Sequence, residues 1–503
     1  ANTYLSEHVA WQATNGLRLD MLDHLLGLDL SFHKAHTPGE LLERIDGDVK
    51  ALALFFSRFT VFFIGNLLLM LGILVLLWRE HWGVGLAATV IMFLSFWLMV
   101  KVRSLAIPHH EALRGAEAEM NGFAMELFES TEDVRANGAV DYALRRFDCF
   151  SQQWFRTRQR AYQIGGLLWP LNIQAYAIRT AILFLICYGL WQSGAYTLGS
   201  IYLIFFYSDL LSRPLSEIRH QVEVLQQAEA SISRIQKLLA TESQLPDTGT
   251  GRLPSGPLSL SVRDLQFHYH DDPTLVLDGV NLELPAGRVL GLLGRTGSGK
   301  TSLARLLLRL YDPTGGAIQL GGIAPDAVPL AQLHQRVSMV TQDVQLFDAS
   351  VRDNLTFFNP AIADDAILAV IEELGLGEWL RNLPGAGLDS HLSGGQNLSA
   401  GQAQLLAFAR IFLTDPGLVI LDEASSRLDP ATEQLIERAV DQLLRNRTGI
   451  IIAHHLATVS RADDILILDG GRVLEYGDRV ALQANPDSHF SHLLQVGIEE
   501  VLA

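Results

Sequence analysis

A glycine-rich segment in the second half of the chain has the residue types and spacing for binding phosphate. Residues 289–293 form a short apolar run that predicts a buried strand, and a helical run begins at Ser302. The segment between them is Gly294, Arg295, Thr296, Gly297, Ser298, Gly299, Lys300 and Thr301. In this context glycines let backbone N–H groups converge on phosphate oxygens, and the helix N-terminus adds a positive dipole end. We therefore predict an ATP site in which Lys300 reaches the β- and γ-phosphates and Thr301 ligates Mg²⁺.

An acidic pair follows a second apolar strand further along the chain. Residues 418–421 predict this strand, and Asp422 and Glu423 come directly after it. Asp422 is expected to hold Mg²⁺ directly or through water, and Glu423 to polarise an attacking water. Taken alone, such a pair is often surface charge. Its position after a phosphate-binding loop favours the catalytic interpretation.

The composition of the chain changes between its two halves. Residues 241–257 are rich in Pro, Gly, Thr and Ser, and beyond them short strands alternate with helices, as in an α/β domain. Residues 1–256 carry 21 Lys and Arg against 24 Asp and Glu, whereas residues 257–503 carry 17 against 31. The acidic second half argues against nucleic acid as a partner, because its phosphates would be repelled. The two cysteines provide neither a disulfide framework nor a metal cluster.

The first half contains long runs without charge. Residues 59–78 and 82–100 are uncharged and only three residues lie between them, so they predict a hairpin of two membrane spans. Residues 161–208 contain one charge, Arg179, and are long enough for two more spans. The basic residues that flank these runs place the polar connection from 103 to 160 in the cytoplasm. That connection predicts two helices that extend the spans. Arg179 either lines a transport pathway or has a structural role, in which it snorkels to the membrane surface or pairs within the protein.

Residues 398–402, LSAGQ, resemble the signature sequence of ABC ATPases, with Ala400 where the family has its first glycine. The flanking run 397–410 resembles the signature helix of ABC exporters. Four further family motifs are matched: Tyr269 corresponds to the aromatic that stacks on adenine, Gln342 to the glutamine that senses magnesium, residues 426–429 to the D-loop, and His454 to the switch histidine. In that family Ser399, Ala400, Gly401 and Gln402 would cap the ATP held by a partner domain.

This resemblance implies an α-helical transmembrane domain with long cytoplasmic helix extensions plus an α/β P-loop ABC ATPase domain. The implied limits are 1–240 for the membrane domain, 241–257 for the linker and 258–503 for the ATPase domain. Short coupling helices are expected near 31–39 and 127–135. The implied function is ATP-driven export as one half of a dimer, with ATP hydrolysed between the two chains, Glu423, His454 and Gln342 as catalytic residues, and Thr301, Gln342 and Asp422 around Mg²⁺. By analogy, the chain is expected in the inner membrane of a bacterium, in contact with lipid, with its ATPase domain in the cytoplasm.

Some features depart from the family pattern. Exporter halves usually have six spans and we find four, which we interpret as a truncated or partly given chain rather than a four-span exporter. Ala400 and Arg427 favour a partner that is not identical over a second copy of the chain. A second possible function, an ATP-gated channel or regulator, would share every motif. The long uncharged runs argue against a third, a soluble ABC ATPase. The transported substrate cannot be read from the spans.

Overall fold

The computed structural model describes residues 2–166, 168–192, 194, 196–341, 344–385, 387–392, 398–422, 430–453 and 459–496. The chain divides into two compact units. One comprises Ala1–Met21 and Leu42–Leu238, and the other Leu22–Leu41 and Leu239–Ala503. The limits predicted from composition stay a prediction, but the structure adds that residues 22–41 group with the second unit.

The first part of the chain is helical throughout. Its helices are α1 (Asn2–Leu26), α2 (Leu30–Ala35), α3 (Pro38–Leu42), α4 (Val49–Leu54), α5 (Thr60–Glu80), α6 (Trp82–Glu129), α7 (Thr131–Ala136), α8 (Val140–Gly166), α9 (Leu168–Gln192), α10 (Leu198–Leu210) and α11 (Ser212–Leu239). Two π-helical turns, Glu43–Asp48 and Phe55–Phe59, join α3, α4 and α5 into one helix. The buried Asp48 accepts hydrogen bonds from Ser231 and Arg234, which tie this helix to α11.

Helix α6 extends far beyond the thickness of a bilayer, and α8, roughly 40 Å long, packs alongside it. Helix α6 has 48 residues and α8 has 27. At 1.5 Å per residue α6 is roughly 70 Å long, whereas a hydrocarbon core is about 30 Å thick. The two helices pack on each other through Phe123 and Phe150, whose ring centroids are 5.1 Å apart. The predicted long helix extensions are therefore confirmed.

The apolar helices share one buried core. Among the described helices, Pro38–Glu80 is long and apolar enough to cross a membrane, and the apolar stretches Trp82–Leu94, Tyr176–Gln192 and Leu198–Leu210 are shorter. Leu77, Val84, Leu183 and Ile204 come from these four segments and are at most 2% exposed in one hydrophobic cluster. The segments therefore pack together, while the count of four membrane spans stays a prediction.

The second unit is built from strands and helices. Its strands are β1 (Leu260–Phe267), β2 (Leu277–Leu284), β3 (Val289–Gly294), β4 (Gly315–Leu320), β5 (Val337–Val340), β6 (Ala349–Ser350), β7 (His391–Leu392), β8 (Leu418–Asp422), β9 (Thr448–Ile452), β10 (Asp464–Asp469) and β11 (Arg472–Asp478). Its described helices after α11 are α12 (Lys300–Leu307), α13 (Leu330–Arg336), α14 (Val351–Thr356), α15 (Asp364–Glu373), α16 (Gly377–Asn382), α17 (Ala400–Thr414), α18 (Pro430–Leu444), α19 (Arg479–Ala484) and α20 (His489–Val496). The predicted α/β character is confirmed.

A six-stranded sheet in the order β11-β10-β3-β9-β8-β5 positions the predicted site residues. Strands β10, β3, β9, β8 and β5 are parallel, and β11 joins antiparallel. Every residue of β3 and β9 is buried, as expected for parallel strands covered on both faces. Leu292 pairs with Ile452, and Ile452 pairs with Asp422. The carboxyl ends of β3, β9 and β8 therefore lie at one edge of the sheet.

Candidate nucleotide-binding site

The loop between β3 and α12 depends on glycine for its backbone path. Gly294, Gly297 and Gly299 have φ angles of 148°, 82° and 104°. These values lie in the region that side chains rarely allow, so glycine is required at each position. Helix α12 then begins at Lys300, which is 6% exposed. Its Nζ donates to the carbonyl oxygens of Gly294, at 2.6 Å, and Arg295, at 3.0 Å.

The space around the three glycines differs. A Cβ atom on Gly294 would collide with the Leu468 carbonyl, and one on Gly299 would lie 2.6 Å from Leu277 Cδ2. A Cβ atom on Gly297 would meet nothing within 4 Å. Two glycines are therefore needed because the loop packs against the sheet. The third lies at the open side, where a ligand could approach the backbone.

The residues of this loop fit the phosphates of a nucleotide. Ser298 is 3% exposed, and its Oγ has no hydrogen-bond partner among the described residues. Buried hydroxyl groups are normally paired, so this one indicates an acceptor that would come from a ligand. Together with a buried lysine and a helix N-terminus, the chemistry of the loop suits phosphate oxygens. Thr296, Thr301 and Ser302 complete the predicted segment.

Two of the predicted magnesium ligands belong to elements that meet at the same sheet edge. Thr301 lies in the first turn of α12, which follows β3, and Asp422 ends β8, two strands away. At about 4.8 Å per strand, the ends of β3 and β8 are roughly 10 Å apart. Hydroxyl and carboxylate oxygens are ligands that Mg²⁺ accepts. The residues fit the ion, and its binding here stays a prediction.

Three predicted catalytic residues, Gln342, Glu423 and His454, lie outside the described residues, as does Arg427. The strands that precede Glu423 and His454 are described. Strands β8 and β9 are parallel neighbours, and both end at the edge where β3 leads into the phosphate-binding loop.

Tyr269 lies against the helix that follows the phosphate-binding loop. Its hydroxyl is 2.9 Å from Ser302 Oγ and accepts a hydrogen bond from Arg305 Nη1 at 3.2 Å. The ring makes edge contacts with Phe267 and Tyr311, at centroid distances of 4.9 and 5.3 Å. These contacts hold an aromatic ring beside the loop, as its predicted adenine contact requires.

Helix α2 approaches the same aromatic ring. Lys34 Nζ lies 4.4 Å from the centroid of the Tyr269 ring, within the range of a cation–π interaction. Leu30 packs against the hydrophobic cluster that contains Phe267. Asp29 caps α2 and also accepts a hydrogen bond from the Gln244 backbone at 2.8 Å. Lys34 and Asp29 were not among the predicted site residues, since no spacing in the sequence connects them with Tyr269.

The predicted signature residues begin helix α17. Ser399 Oγ accepts the Gln402 N–H at 3.2 Å, and the Gln402 side chain accepts the Ser399 N–H at 3.0 Å. This reciprocal pair is a capping box. Ser399 and Ala400 are exposed, whereas Gly401 is buried. Ala400 is the first helical residue and has no positive φ, so a methyl group is compatible with this position.

Buried arginine contacts hold α17 in place. Arg410 Nε donates to the Asn354 carbonyl at 2.8 Å, and its guanidinium lies 4.5 Å from the Phe357 ring centroid. Burial lowers the pKa of Arg410 to about 10, so the side chain is still charged at neutral pH. The charged Arg410 side chain therefore connects α17 to α14.

Two family models match the chain. The model described as "ABC transporter transmembrane region" matches residues 1–215, and the one described as "ABC transporter" matches residues 277–426. Among solved structures, a bacterial Atm1-family ABC exporter with ATP bound has a TM-score of 0.82 at 24% identity. The match covers 98% of this chain and 86% of that one, and it shows the fold.

Curated relatives match over nearly the whole of this chain. An uncharacterised ABC transporter ATP-binding protein, YknV, of Bacillus subtilis is 30% identical over 95% of this chain and 79% of its own length. An ATP-dependent lipid A-core flippase of Pseudomonas aeruginosa is 29% identical over 99% of this chain and 82% of its own. A multidrug efflux ATP-binding/permease protein of Mycobacterium bovis is 29% identical over 97% of this chain and 40% of its own.

Proposed function

The chain belongs to the ABC transporter family, and we propose that it works as one half of a dimeric exporter with ATP bound between the two halves. It is a membrane-embedded ATPase with bacterial relatives. The observation that carries the proposal is the exposed N-terminus of α17, with Ser399 and Ala400 at the surface. A capped but exposed helix N-terminus suits an anion brought by another molecule.

Each site residue has a proposed role in hydrolysis. Lys300 neutralises charge on the β- and γ-phosphates, and Thr301, Asp422 and Gln342 hold Mg²⁺, which supplies further charge neutralisation. Glu423 takes a proton from the attacking water, and its placement after β8 would bring it beside the phosphate-binding loop. His454, placed after β9, contacts the terminal phosphate.

We also assign α2 and α7 as coupling helices, through which the ATPase domain and membrane domain influence each other. Helix α2 has direct contacts that support this assignment: Leu30 in the hydrophobic cluster of the ATPase unit and Lys34 over the Tyr269 ring. A change at the adenine-binding aromatic would alter the environment of the Lys34 ammonium. The position of α2 is thereby energetically connected to nucleotide occupancy.

We favour a partner that is not identical to this chain. Ala400 adds a methyl group at the exposed start of α17, and Arg427 adds a charge to the D-loop. Both lie in segments that would face the partner. Two matching positive charges across a symmetric interface would repel, whereas a different partner could supply an acidic counterpart.

The decisive experiment compares ATP hydrolysis of the wild type with that of Glu423→Gln in lipid vesicles. Each protein is measured alone and after co-expression with candidate half-transporters. We expect the substitution to lower the rate by about 10²–10⁴-fold while ATP binding persists, because it removes only the base. Asp441→Asn, on the exposed face of α18, is the matched control and should leave the rate unchanged.

The outcomes separate the possible assemblies. Activity that requires a second subunit and is lost with Glu423→Gln supports a dimer of different halves. Activity of the chain alone that is lost with Glu423→Gln would contradict the favoured partner but support a dimer of identical halves. Activity that survives the substitution would refute the assigned base.

A further inference from the structure

A cavity of about 270 Å³, partly open to solvent, lies beside the C-terminal end of α12 in the ATPase unit. Its lining includes Arg309, Tyr311 and Asp312, which follow that helix, and Asp326 in the 3-10 turn Pro325–Ala327. The lining residues are different from those of the predicted nucleotide site. At about 30 Å³ for each water molecule in the liquid, the cavity has room for roughly nine non-hydrogen atoms.

The way α12 ends places Arg309 at this cavity. The Leu310 N–H donates to the Arg305 carbonyl and the Arg309 N–H to the Leu306 carbonyl, which is the pairing of a Schellman C-cap. Arg309 takes the left-handed position of that cap, with φ at 51°, where glycine is the usual residue. Its side chain is therefore held in a conformation that a non-glycine residue adopts only at a cost.

The contacts of the Arg309 side chain leave one nitrogen unused. Arg309 is 3% exposed, and its Nε donates to Asp312 Oδ1 at 3.0 Å while Nη2 donates to the Pro246 carbonyl oxygen at 3.1 Å. Arg309 Nη1 is buried and has no acceptor among the described residues. The hydroxyl of Tyr311, which is 7% exposed, also lacks a partner there.

Two buried donors without acceptors need an explanation, because buried polar groups are normally paired. Both belong to residues that line the same cavity. A carboxylate offers two acceptor oxygens and is a preferred partner of a guanidinium. The cavity wall therefore suits the carboxylate of a small molecule.

The acidic residues of the cavity call for a second, opposite charge on that molecule. Asp312 already uses one oxygen on Arg309, whereas the exposed Asp326 has no ion pair or hydrogen bond in the described part of the chain. The lining carries one arginine against two aspartates. A simple anion would add to this excess of negative charge, whereas a molecule that also carries an ammonium group would match both ends.

We propose that this cavity binds a small zwitterion of the amino-acid class, with its carboxylate on Arg309 Nη1 and the Tyr311 hydroxyl and its ammonium group on Asp326. The site is separate from the nucleotide site and goes beyond the proposed export function. Its occupant would adjoin the aromatic cluster of the nucleotide site, because the Tyr311 and Tyr269 ring centroids are 5.3 Å apart.

The test measures equilibrium binding of radiolabelled δ-aminovalerate to the full-length chain, with its partner subunit if required, in phosphatidylcholine nanodiscs. This probe carries a carboxylate and an ammonium group on a flexible chain, so its two charges can adjust their separation. Glutarate and cadaverine have the same number of carbon atoms but two charges of one sign. We expect saturable binding of the probe, and each of these competitors should be about tenfold or more weaker than unlabelled probe.

Two substitutions remove one end of the site each. Tyr311→Phe keeps the ring contacts with Phe267 and Tyr269 and removes only an unpartnered hydroxyl, so the fold should tolerate it, and binding should weaken about threefold or more. Asp326→Asn removes an exposed charge and should weaken binding about tenfold or more. Asp365→Asn, at an exposed position in the first turn of α15, is the matched control and should leave binding unchanged.

Arg309 itself is not substituted, because it also holds Asp312 and Pro246 and its loss would disturb the fold. The absence of saturable binding at millimolar probe would mean that the cavity holds only water, and it would overturn the proposal. Binding that either Tyr311→Phe or Asp326→Asn leaves unchanged would place the probe elsewhere, with the same consequence. Equal competition by glutarate or by cadaverine would show a site for one charge only and would refute the zwitterion.

Discussion

Helices α12 and α17 both have a small N-cap residue, Gly299 and Ser399, but their N-termini are built differently. Helix α12 follows a glycine loop packed against the sheet, and its first residue, Lys300, is buried. Helix α17 starts at the surface, where Ser399 and Gln402 cap each other. The first arrangement provides groups of one chain for the nucleotide that we propose binds there. In the second arrangement the cap of the helix is already satisfied within α17, and the exposed side of the N-terminus is open to another molecule.

Two helix N-termini in one domain therefore need not be equivalent sites. At α12, a buried hydroxyl, Ser298, has no partner of its own in the described residues. At α17, Ser399 Oγ accepts a hydrogen bond from its own helix. We propose that the chain itself binds phosphate at the unsatisfied group. The satisfied one is consistent with a site completed only in a dimer.

The largest effect that would test this comparison is expected at Lys300. Lys300→Met should lower ATP hydrolysis by about 10²–10³-fold, because a positioned charge on the phosphates is lost. Hydrolysis in lipid vesicles and ATP affinity of the detergent-solubilised protein would both be measured. Arg263→Gln removes an exposed cation of β1 and should have no effect. Near-normal hydrolysis by Lys300→Met would show that this loop does not carry the chemistry.

A carboxylate at the start of α17 should act across the dimer. Ala400→Asp puts a negative charge where the terminal phosphate would approach, and we expect about a tenfold or larger loss of vanadate-trapped nucleotide on the partner subunit. Nucleotide trapped on this chain should change little. Subunits of different size, photolabelled with an azido nucleotide, would separate the two signals. A loss confined to this chain's own nucleotide would show that α17 does not act on the partner's site, and Ala400→Gly is the mild control.

A smaller effect is expected at the contact between α2 and Tyr269. Lys34→Gln removes a cation–π interaction that is worth about 1 kcal/mol, so the stimulation of ATP hydrolysis by transported substrate should change a few-fold. The basal rate and substrate-stimulated rate would be compared in the same vesicles. Lys34→Arg keeps the cation and should retain most of the coupling. If glutamine and arginine behaved alike, the charge over the ring would have no role.

The smallest effect concerns the cap of α2 and depends on pH. Burial raises the pKa of Asp29, but hydrogen bonds from the backbone of Gln244 and Phe32 and from Ser31 outweigh it and leave the pKa below its usual value. A lowered pKa stabilises the folded state above the unfolded pKa of about 3.9, and this stability is lost as pH falls through the folded pKa.

Asp29→Asn keeps a cap but removes the charge. It should therefore lower the free energy of opening of α2 by about 0.5 kcal/mol at pH 7. Hydrogen–deuterium exchange of residues 30–35 would measure the difference between the variant and the wild type. The difference should disappear in acid as the wild-type carboxyl becomes protonated. A difference that is constant with pH would mean that geometry, and not the carboxylate charge, holds the cap.

The local elements of the site could be predicted because short-range chemistry fixes them. The strand, glycine loop and helix around residues 294–301 follow from apolar runs and from glycine, and the start of α17 follows from a serine and a glutamine three residues apart. The long uncharged runs likewise predicted the apolar helices. Family resemblance added roles for Gln342, Glu423 and His454, which lie outside the described residues and stay predictions.

Only the tertiary structure brought together residues that are far apart in the chain. The position of Lys34 over Tyr269, and of Tyr176 beside Asp209, depends on how helices pack, and no local pattern encodes such a meeting. The same holds for residues 22–41, which group with the ATPase unit although they precede most of the membrane helices. The sequence determined which backbone conformations each segment could adopt and which faces of its helices and strands were apolar. Packing decided which side chains meet, because a contact depends on the summed geometry of every element between its two residues.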